Sequence, residues 1–125
     1  MSIFDTLVEN REYIENALEY AEGTHTFDDI ALGVLSGRYI LWPGERSAIV
    51  TEIINYPQIK DLHFFLAGGD LDEVQLMTEY IERWGRDVGC SRSSFSGRRG
   101  WARVFPKDTG YETKYTTMIK DLTNA

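Results

Sequence analysis

The sequence has little of what a disulfide or metal site requires. Cys90 is the only cysteine, so no disulfide can form within the chain, and a reducing compartment is expected. The two histidines and one cysteine are far apart and have no zinc-ligand spacing. No apolar run reaches about 18 residues, which predicts no membrane span. The first residues lack the basic and apolar regions of a signal peptide, so we expect no secretion by that route.

Recognisable catalytic motifs are also lacking. The sequence contains no P-loop, no dinucleotide-binding glycine pattern and no G-x-S-x-G turn around a nucleophilic serine. We therefore assign no catalytic residue, no cofactor-binding residue and no metal ligand from motifs. Asp70 and Asp72 could be paired carboxylates, but a helix cap explains them more simply.

Basic residues are scarce in the first two thirds of the chain. Residues 1–82 carry 16 acidic and 4 basic side chains, whereas residues 83–125 carry 4 acidic and 9 basic ones. The formal net charge is −7, which makes nonspecific binding to nucleic acid unfavourable. The two parts of the chain carry opposite charge, which favours attraction within the domain or between copies.

A length of 125 residues predicts one domain, residues 1–125. Residues 4–22 have apolar side chains on one helical face and glutamates on the other, and Gly23 ends this pattern. They predict an extra acidic helix within residues 1–23. Its acidic row is either a solvated face or a docking surface for a basic partner. A second helix is predicted over residues 26–35, with Thr26 as N-cap and Leu35 on the buried side.

Short apolar runs separated by turn residues predict the strands. A hairpin around Pro43-Gly44 joins strands at 39–42 and 47–54, and a central strand covers 62–67. Further strands are predicted at 91–96 and 113–119. A short helix is expected to start at Trp101 and to be distorted by Pro106.

The chain is organised around residues 61–90, where the central strand, the Gly68-Gly69 turn and a long helix follow one another. Asp70 and Glu73 form a capping-box pattern at the helix start, and Gly89 suits the position after the helix end. The predicted apolar face runs at a helical spacing through Leu71, Val74, Met77, Ile81, Trp84 and Val88.

A strand, a glycine turn and a helix start can together hold a phosphate. Here Asp70, Asp72 and Glu73 place three acidic side chains at that helix start. An anion would meet repulsion of about 1 kcal/mol from each nearby acid. The pattern therefore favours a capped core helix over a phosphate site.

Gly97-Arg98-Arg99-Gly100 is the most unusual local run. Two arginines between glycines at a helix start could grip an anion or an acidic partner through bidentate hydrogen bonds. The candidate contact residues are Arg98, Arg99, Trp101 and Arg103. The alternative is a turn whose arginines pair with the acidic first helix.

The order of these elements resembles the acyl-CoA N-acyltransferase (GNAT) fold, from about residue 24 to residue 122. The resemblance rests on the paired early helices, on the glycine turn after the central strand, and on WGRDVG at 84–89, WAR at 101–103 and GY at 110–111. It implies an α/β (α+β) fold with a mixed, mainly antiparallel sheet flanked by helices. The sequence is also similar to small GNAT-like proteins encoded in phage genomes, through LWPG at 41–44, VTEI at 50–53, AGGD at 67–70 and GRRGW at 97–101.

The sequence departs from this family at the site residues. Active members hold the CoA pyrophosphate with a [Gln/Arg]-x-x-Gly-x-[Gly/Ala] loop, at whose defining positions this chain has Gly69, Asp72 and Val74. Phe105-Pro106 occupies the region where the family has its tyrosine acid. A degenerate CoA loop implies no cofactor and a non-catalytic phage structural or interaction protein, as a virion component.

Such a component would have protein partners, either other particle proteins or copies of itself, and would be found in the virion or the host cytoplasm. The alternative is an acyl-CoA-dependent N-acyltransferase with a divergent site for acetyl-CoA.

Overall fold

One sheet organises the part of the chain that the structure describes. This computed structural model describes residues 2–97, 100–101, 103, 105 and 109–123. The strands are β1 (Tyr39–Pro43), β2 (Ser47–Asn55), β3 (Lys60–Gly69) and β4 (Arg92–Phe95), in the sheet order β1-β2-β3-β4. β2 runs antiparallel to both β1 and β3, and β4 runs parallel to β3. The predicted α+β class, with a mixed and mainly antiparallel sheet, is confirmed.

Helices cover both faces of the sheet. α1 (Ile3–Glu9), α2 (Arg11–Leu18) and α3 (Phe27–Leu35) pack on one face, and α4 (Leu71–Asp87) packs on the other. Two core clusters result, one on each face. The α4 face buries Ile49, Leu62, Phe64, Val74, Met77, Ile81, Trp101 and Phe105. The opposite face buries Leu7, Ile14, Ile30, Val34, Tyr39, Val50 and Leu66.

The prediction of one continuous N-terminal helix is wrong. The chain forms α1 and α2, with Asn10 between them at φ −102° and ψ 9°. The side-chain amide of Asn10 donates to the Thr6 carbonyl over 2.8 Å, and this local bond competes with helix continuation. α1 and α2 are also part of the core, because Leu7 and Ile14 are each only 1% exposed.

The sequence correctly located the hairpin and the long helix. Asp70 is the N-cap of α4, and Gly89 follows the helix end with φ 95°, a conformation that glycine adopts without strain. Thr26 caps α3 through a capping box with Asp29. Two residues predicted to be buried are not: Leu35, the last residue of α3, is 53% exposed, and Val88, the C-cap of α4, is 37% exposed.

The predicted last strand is wrong as well. Residues 113–119 have no regular secondary structure, and all of them are exposed. A strand is stabilised by ladder hydrogen bonds and a half-buried face, and no described strand lies beside this segment. The described residues from Gly100 to Thr109 are helical, as predicted for the region from Trp101, while Pro106 lies outside the described residues.

A β-bulge in β3 changes which face its side chains cover. Thr51 of β2 pairs with Phe64 and Val50 pairs with Leu66, so Phe65 has no opposite residue. Phe64 packs against the α4 face, whereas Phe65 and Leu66 both pack against the other face. An extra residue also bends the strand and increases its twist. The bulge lies where β3 passes the end of β4, next to the candidate site.

Candidate functional site

The start of α4 is closed by its own side chains. The Asp70 carboxylate accepts the Glu73 amide over 2.9 Å, which satisfies one of the free N–H groups of the first turn. Arg46 Nε lies 3.7 Å from the other Asp70 oxygen, but both side chains are exposed, so this pair adds little. The predicted Asp70 cap is therefore confirmed.

Glu73 does not complete the predicted capping box. Its carboxylate instead accepts the amides of Glu45 (3.0 Å) and Arg46 (2.8 Å) and the Ser47 hydroxyl. The Ser47 hydrogen bond, followed by the two amides, lowers the pKa of the Glu73 carboxyl below its ordinary value. Glu73 is thus an ionised bridge between α4 and the β1–β2 hairpin, and sequence spacing alone could not show this long-range contact.

A cleft of about 550 Å³ opens on the β4 side of β3. β4 ends at Phe95, but β3 continues through residues 65–69. Among the described residues, this part of β3 pairs with β2 and has no strand on its other side. The walls include Phe65, Tyr20 of the segment after α2, and Trp101. His63 and Ser96 bring polar side chains to this cleft.

Four side chains form a hydrogen-bonded chain from the core to the cleft. Asp61 is fully buried and accepts the Arg92 guanidinium (3.0 Å) on one oxygen and the Ser94 hydroxyl (2.6 Å) on the other. Ser94 Oγ lies 2.7 Å from His63 Nδ1, and Ser96 Oγ lies 3.2 Å from His63 Nε2. We call Asp61, Ser94, His63 and Ser96 the relay.

The hydrogen bonds of Ser94 determine which ring nitrogen of His63 carries the proton. A hydroxyl has one proton, and the Ser94 hydroxyl donates it to the Asp61 carboxylate, so Ser94 Oγ must accept from His63 Nδ1–H. The proton of the neutral ring is then on Nδ1, and Nε2 presents a lone pair to the Ser96 hydroxyl. The relay therefore points a base toward the cleft.

Burial lowers the pKa of His63 below its ordinary value. Glu52 and Asp61 oppose this shift by stabilising the charged ring, and Arg92 adds to it. Desolvation is the largest of these effects, so the ring is neutral at pH 7, as proton abstraction by Nε2 requires.

The sequence singled out other residues as contacts. Trp101 is only 7% exposed and packs against Phe95 and Phe105, so it belongs to the core and the cleft wall. Arg103 is exposed. Arg98 and Arg99 lie outside the described residues, and the anion- or partner-contact hypothesis stays a prediction.

Sequence reasoning missed the relay. His63 lies in the central strand, and Ser94 and Ser96 alternate at the end of another, so the signal was two serines at the spacing of one strand face. Only the parallel register, which sets Asp61 opposite Arg92 and His63 opposite Ser94, brings them together. That register is not readable from either segment by itself.

Within the described ranges, no group of three or more His, Cys, Asp or Glu side chains could hold a metal ion. No helix in those ranges is both long enough and apolar enough to cross a membrane.

The comparisons with known proteins bear on the fold. No family model matches the chain, and no curated protein does. Among solved structures, the chain is similar to a tetramutant of the BH1408 protein from Bacillus halodurans, with a TM-score of 0.60 and 15% sequence identity. The match covers 81% of this chain and 77% of that one. At this identity the likeness shows a shared fold and carries no activity with it.

Proposed function

We propose that this protein is a structural or interaction component of a phage particle, built on a scaffold that resembles the GNAT fold, and that it does not use acyl-CoA. Its partners are other particle proteins or further copies of the chain. The phage assignment rests on the short motifs around the hairpin, the α4 start and residues 97–101.

The observation that carries the proposal is the exposure of large apolar side chains in residues 112–123. Four large apolar side chains are 71–92% exposed there: Tyr115, Met118, Ile119 and Leu122. Their spacing would place all four on one face of a helix. If a partner ordered this segment as a helix, the four side chains would form one apolar strip, and exposed apolar patches mark interaction sites in soluble proteins. A partner that covered these side chains would gain roughly 1.5–3 kcal/mol for each one fully buried.

The α4 start supports the second half of the proposal. A CoA pyrophosphate would need free amides and uncompensated positive charge at the helix N-terminus. There the Glu73 amide is already bonded to Asp70, and the Glu73 carboxylate is held in place by the hairpin. Repulsion and the lost cradle would weaken a micromolar ligand to roughly millimolar.

Quantitative mass spectrometry of purified particles of the encoding phage tests the interaction role. We expect the protein at a fixed copy number per particle. Replacing both Met118 and Ile119 by Asp should lower incorporation at least about tenfold, because two buried contacts are lost. Replacing Thr116 and Thr117 by Asp adds the same charge nearby and should have less effect. Absence of the protein from particles would contradict the proposal.

His63 favours a second candidate function, acyl-CoA-dependent N-acyl transfer at a divergent site. A neutral imidazole facing a cleft could accept the proton of an amine acceptor. Calorimetric titration with acetyl-CoA at low salt separates the two candidates. A dissociation constant below about 10 µM would support acyl transfer and exclude the first proposal's claim about acyl-CoA.

A further inference from the structure

Ser96 lies directly after β4 with its backbone fixed and its side chain accessible. Its amide donates to the Phe64 carbonyl over 3.1 Å, which extends the β3–β4 ladder by one bond. The residue is exposed and lines the 550 Å³ cleft. A hydroxyl held in this way can contact a small molecule in the cleft without rearrangement of the strand.

The relay prepares that hydroxyl for proton loss. His63 Nε2 accepts from Ser96 Oγ, and Ser94 with the buried Asp61 holds the other ring nitrogen protonated. A serine hydroxyl, an adjacent imidazole and a third group that orients the imidazole are the parts of an activated nucleophile. Here the carboxylate acts through one intervening hydroxyl.

Gly97, directly after Ser96, brings a backbone amide to the wall of the cleft. Its amide follows the nucleophile in sequence, the position from which many acyl-transfer sites stabilise an oxyanion. Among the described residues this amide has no hydrogen-bond acceptor, and Gly97 lines the cleft. A Cβ at this position would lie 2.8 Å from Trp101 Cδ1, so the glycine also lets the indole close the cleft wall.

We propose that Ser96 is a nucleophile that takes an acyl group from small carboxylic esters bound in this cleft. Ser96 Oγ attacks the carbonyl carbon and gives its proton to His63 Nε2. The bond from that carbon to the leaving oxygen then breaks, and Nε2 returns the proton to the leaving alcohol. Water attacks the acyl-serine in the same way, which releases the acid and restores the hydroxyl. No partner protein or CoA takes part, so this activity is independent of the interaction role.

The test uses the full chain and p-nitrophenyl acetate at pH 8. We expect p-nitrophenolate release with one acetyl group on the peptide that contains Ser96, detected by intact-mass and peptide mass spectrometry. Ser96→Ala and Ser96→Gly should both lower the rate at least about 100-fold, the size of a lost nucleophile with its base. Ser91→Ala, at an exposed serine outside the relay, should leave the rate unchanged.

Ser94→Ala tests the positioning role of Ser94. It removes the acceptor of His63 Nδ1–H and should lower kcat about tenfold or more while leaving KM unchanged. The rate of the unaltered protein should rise with pH through the titration of His63, which Glu52 of β2, Asp61 of β3 and Arg92 of β4 influence. Equal rates for the unaltered protein and both Ser96 variants, or acetyl groups on lysines only, would overturn the proposal.

Discussion

The α4 start and the cleft flank the same end of β3, yet their polar groups are arranged in opposite ways. On the β2 side, Glu73 is joined to two hairpin amides and the Ser47 hydroxyl. On the β4 side, the relay ends at the exposed Ser96 hydroxyl. The α4 start uses its charge to join two elements, whereas the relay ends at an open cleft.

The difference follows from what lies next to β3. β2 pairs with β3 as far as Gly69, so the hairpin reaches the first turn of α4 and supplies donors to it. β4 ends at Phe95, which lies opposite Phe64. The next four residues of β3, up to Gly68, therefore have no partner in β4. Where the sheet continues, polar groups are satisfied within the fold, and where it stops, they face solvent.

A side chain at Gly68, at the end of β3 that both regions flank, should have the largest effect on stability. A Cβ on Gly68 would lie 2.2 Å from the Tyr13 carbonyl oxygen, a backbone atom that cannot rotate away. We expect Gly68→Ala to lower the free energy of unfolding by about 3 kcal/mol, measured by chemical denaturation. Gly100→Ala is the control, because a Cβ there meets nothing within 4 Å. Equal stability of the two variants would show that α2 does not pack closely on β3.

Removing the Glu73 bridge should have the next largest effect. Glu73→Ala leaves two hairpin amides without their acceptor and the buried Ser47 hydroxyl with only the weakly accepting Met77 sulfur. We expect a loss of about 2 kcal/mol in the free energy of unfolding. Glu79→Ala, at an exposed position of the same helix, should change it by less than about 0.5 kcal/mol. A Glu73 variant as stable as the Glu79 variant would show that this bridge is not important.

The bridge should also be pH-dependent. The pKa of the Glu73 carboxyl is lowered in the folded protein. Its contribution to stability is therefore complete above the unfolded pKa of about 4.3 and is lost as pH falls through the folded pKa. Denaturation at several pH values should therefore show the gap between the unaltered protein and Glu73→Ala narrowing below about pH 4. A gap that stays constant down to pH 3 would contradict the ionised bridge.

The sequence predicted the features that depend on neighbours in the chain. The hairpin, the Asp70 cap and the Gly89 position follow from turn and cap residues, which act over a few residues. The Glu73 partners lie 26–28 residues away, so the local capping-box pattern gave the wrong contact. The segment at 113–119 has suitable strand residues but no neighbouring described strand, and propensity alone does not form a sheet.

The cleft was beyond sequence reasoning for a related reason. The bulge at Phe65 arises from the pairing of two strands, and the continuous apolar run at 64–67 does not show which of its residues has no partner. The relay joins residues 31–33 positions apart through one register. A tertiary register must be known before those side chains can be recognised as one site.

Removing the Asp70 cap should have a smaller effect than removing Glu73. Asp70→Ala exposes the Glu73 amide of the first turn, and we expect a loss of about 1 kcal/mol. Asp72→Ala removes a charge that interacts favourably with the helix dipole. Asp72 caps no amide of the described residues, so the change should cost about a few tenths of a kcal/mol. Thermal unfolding of both variants is the measurement. A melting temperature unchanged by Asp70→Ala would contradict the cap.

The smallest expected effect is in the protonation of His63, on the cleft side of β3. Burial lowers its pKa, so the ring should titrate below pH 6.5 in an NMR titration of its carbon-bound protons, with assignment by His25→Gln. The unfolded chain binds this proton more readily than the folded one, so His63 makes stability fall as pH drops below about 6.5. Ser94→Ala removes the acceptor that fixes Nδ1–H, and we expect its ring to show mixed tautomers in nitrogen chemical shifts. A proton on Nε2 would show that no base faces Ser96, and a ring that titrates above pH 6.5 would contradict the effect of burial on the His63 pKa.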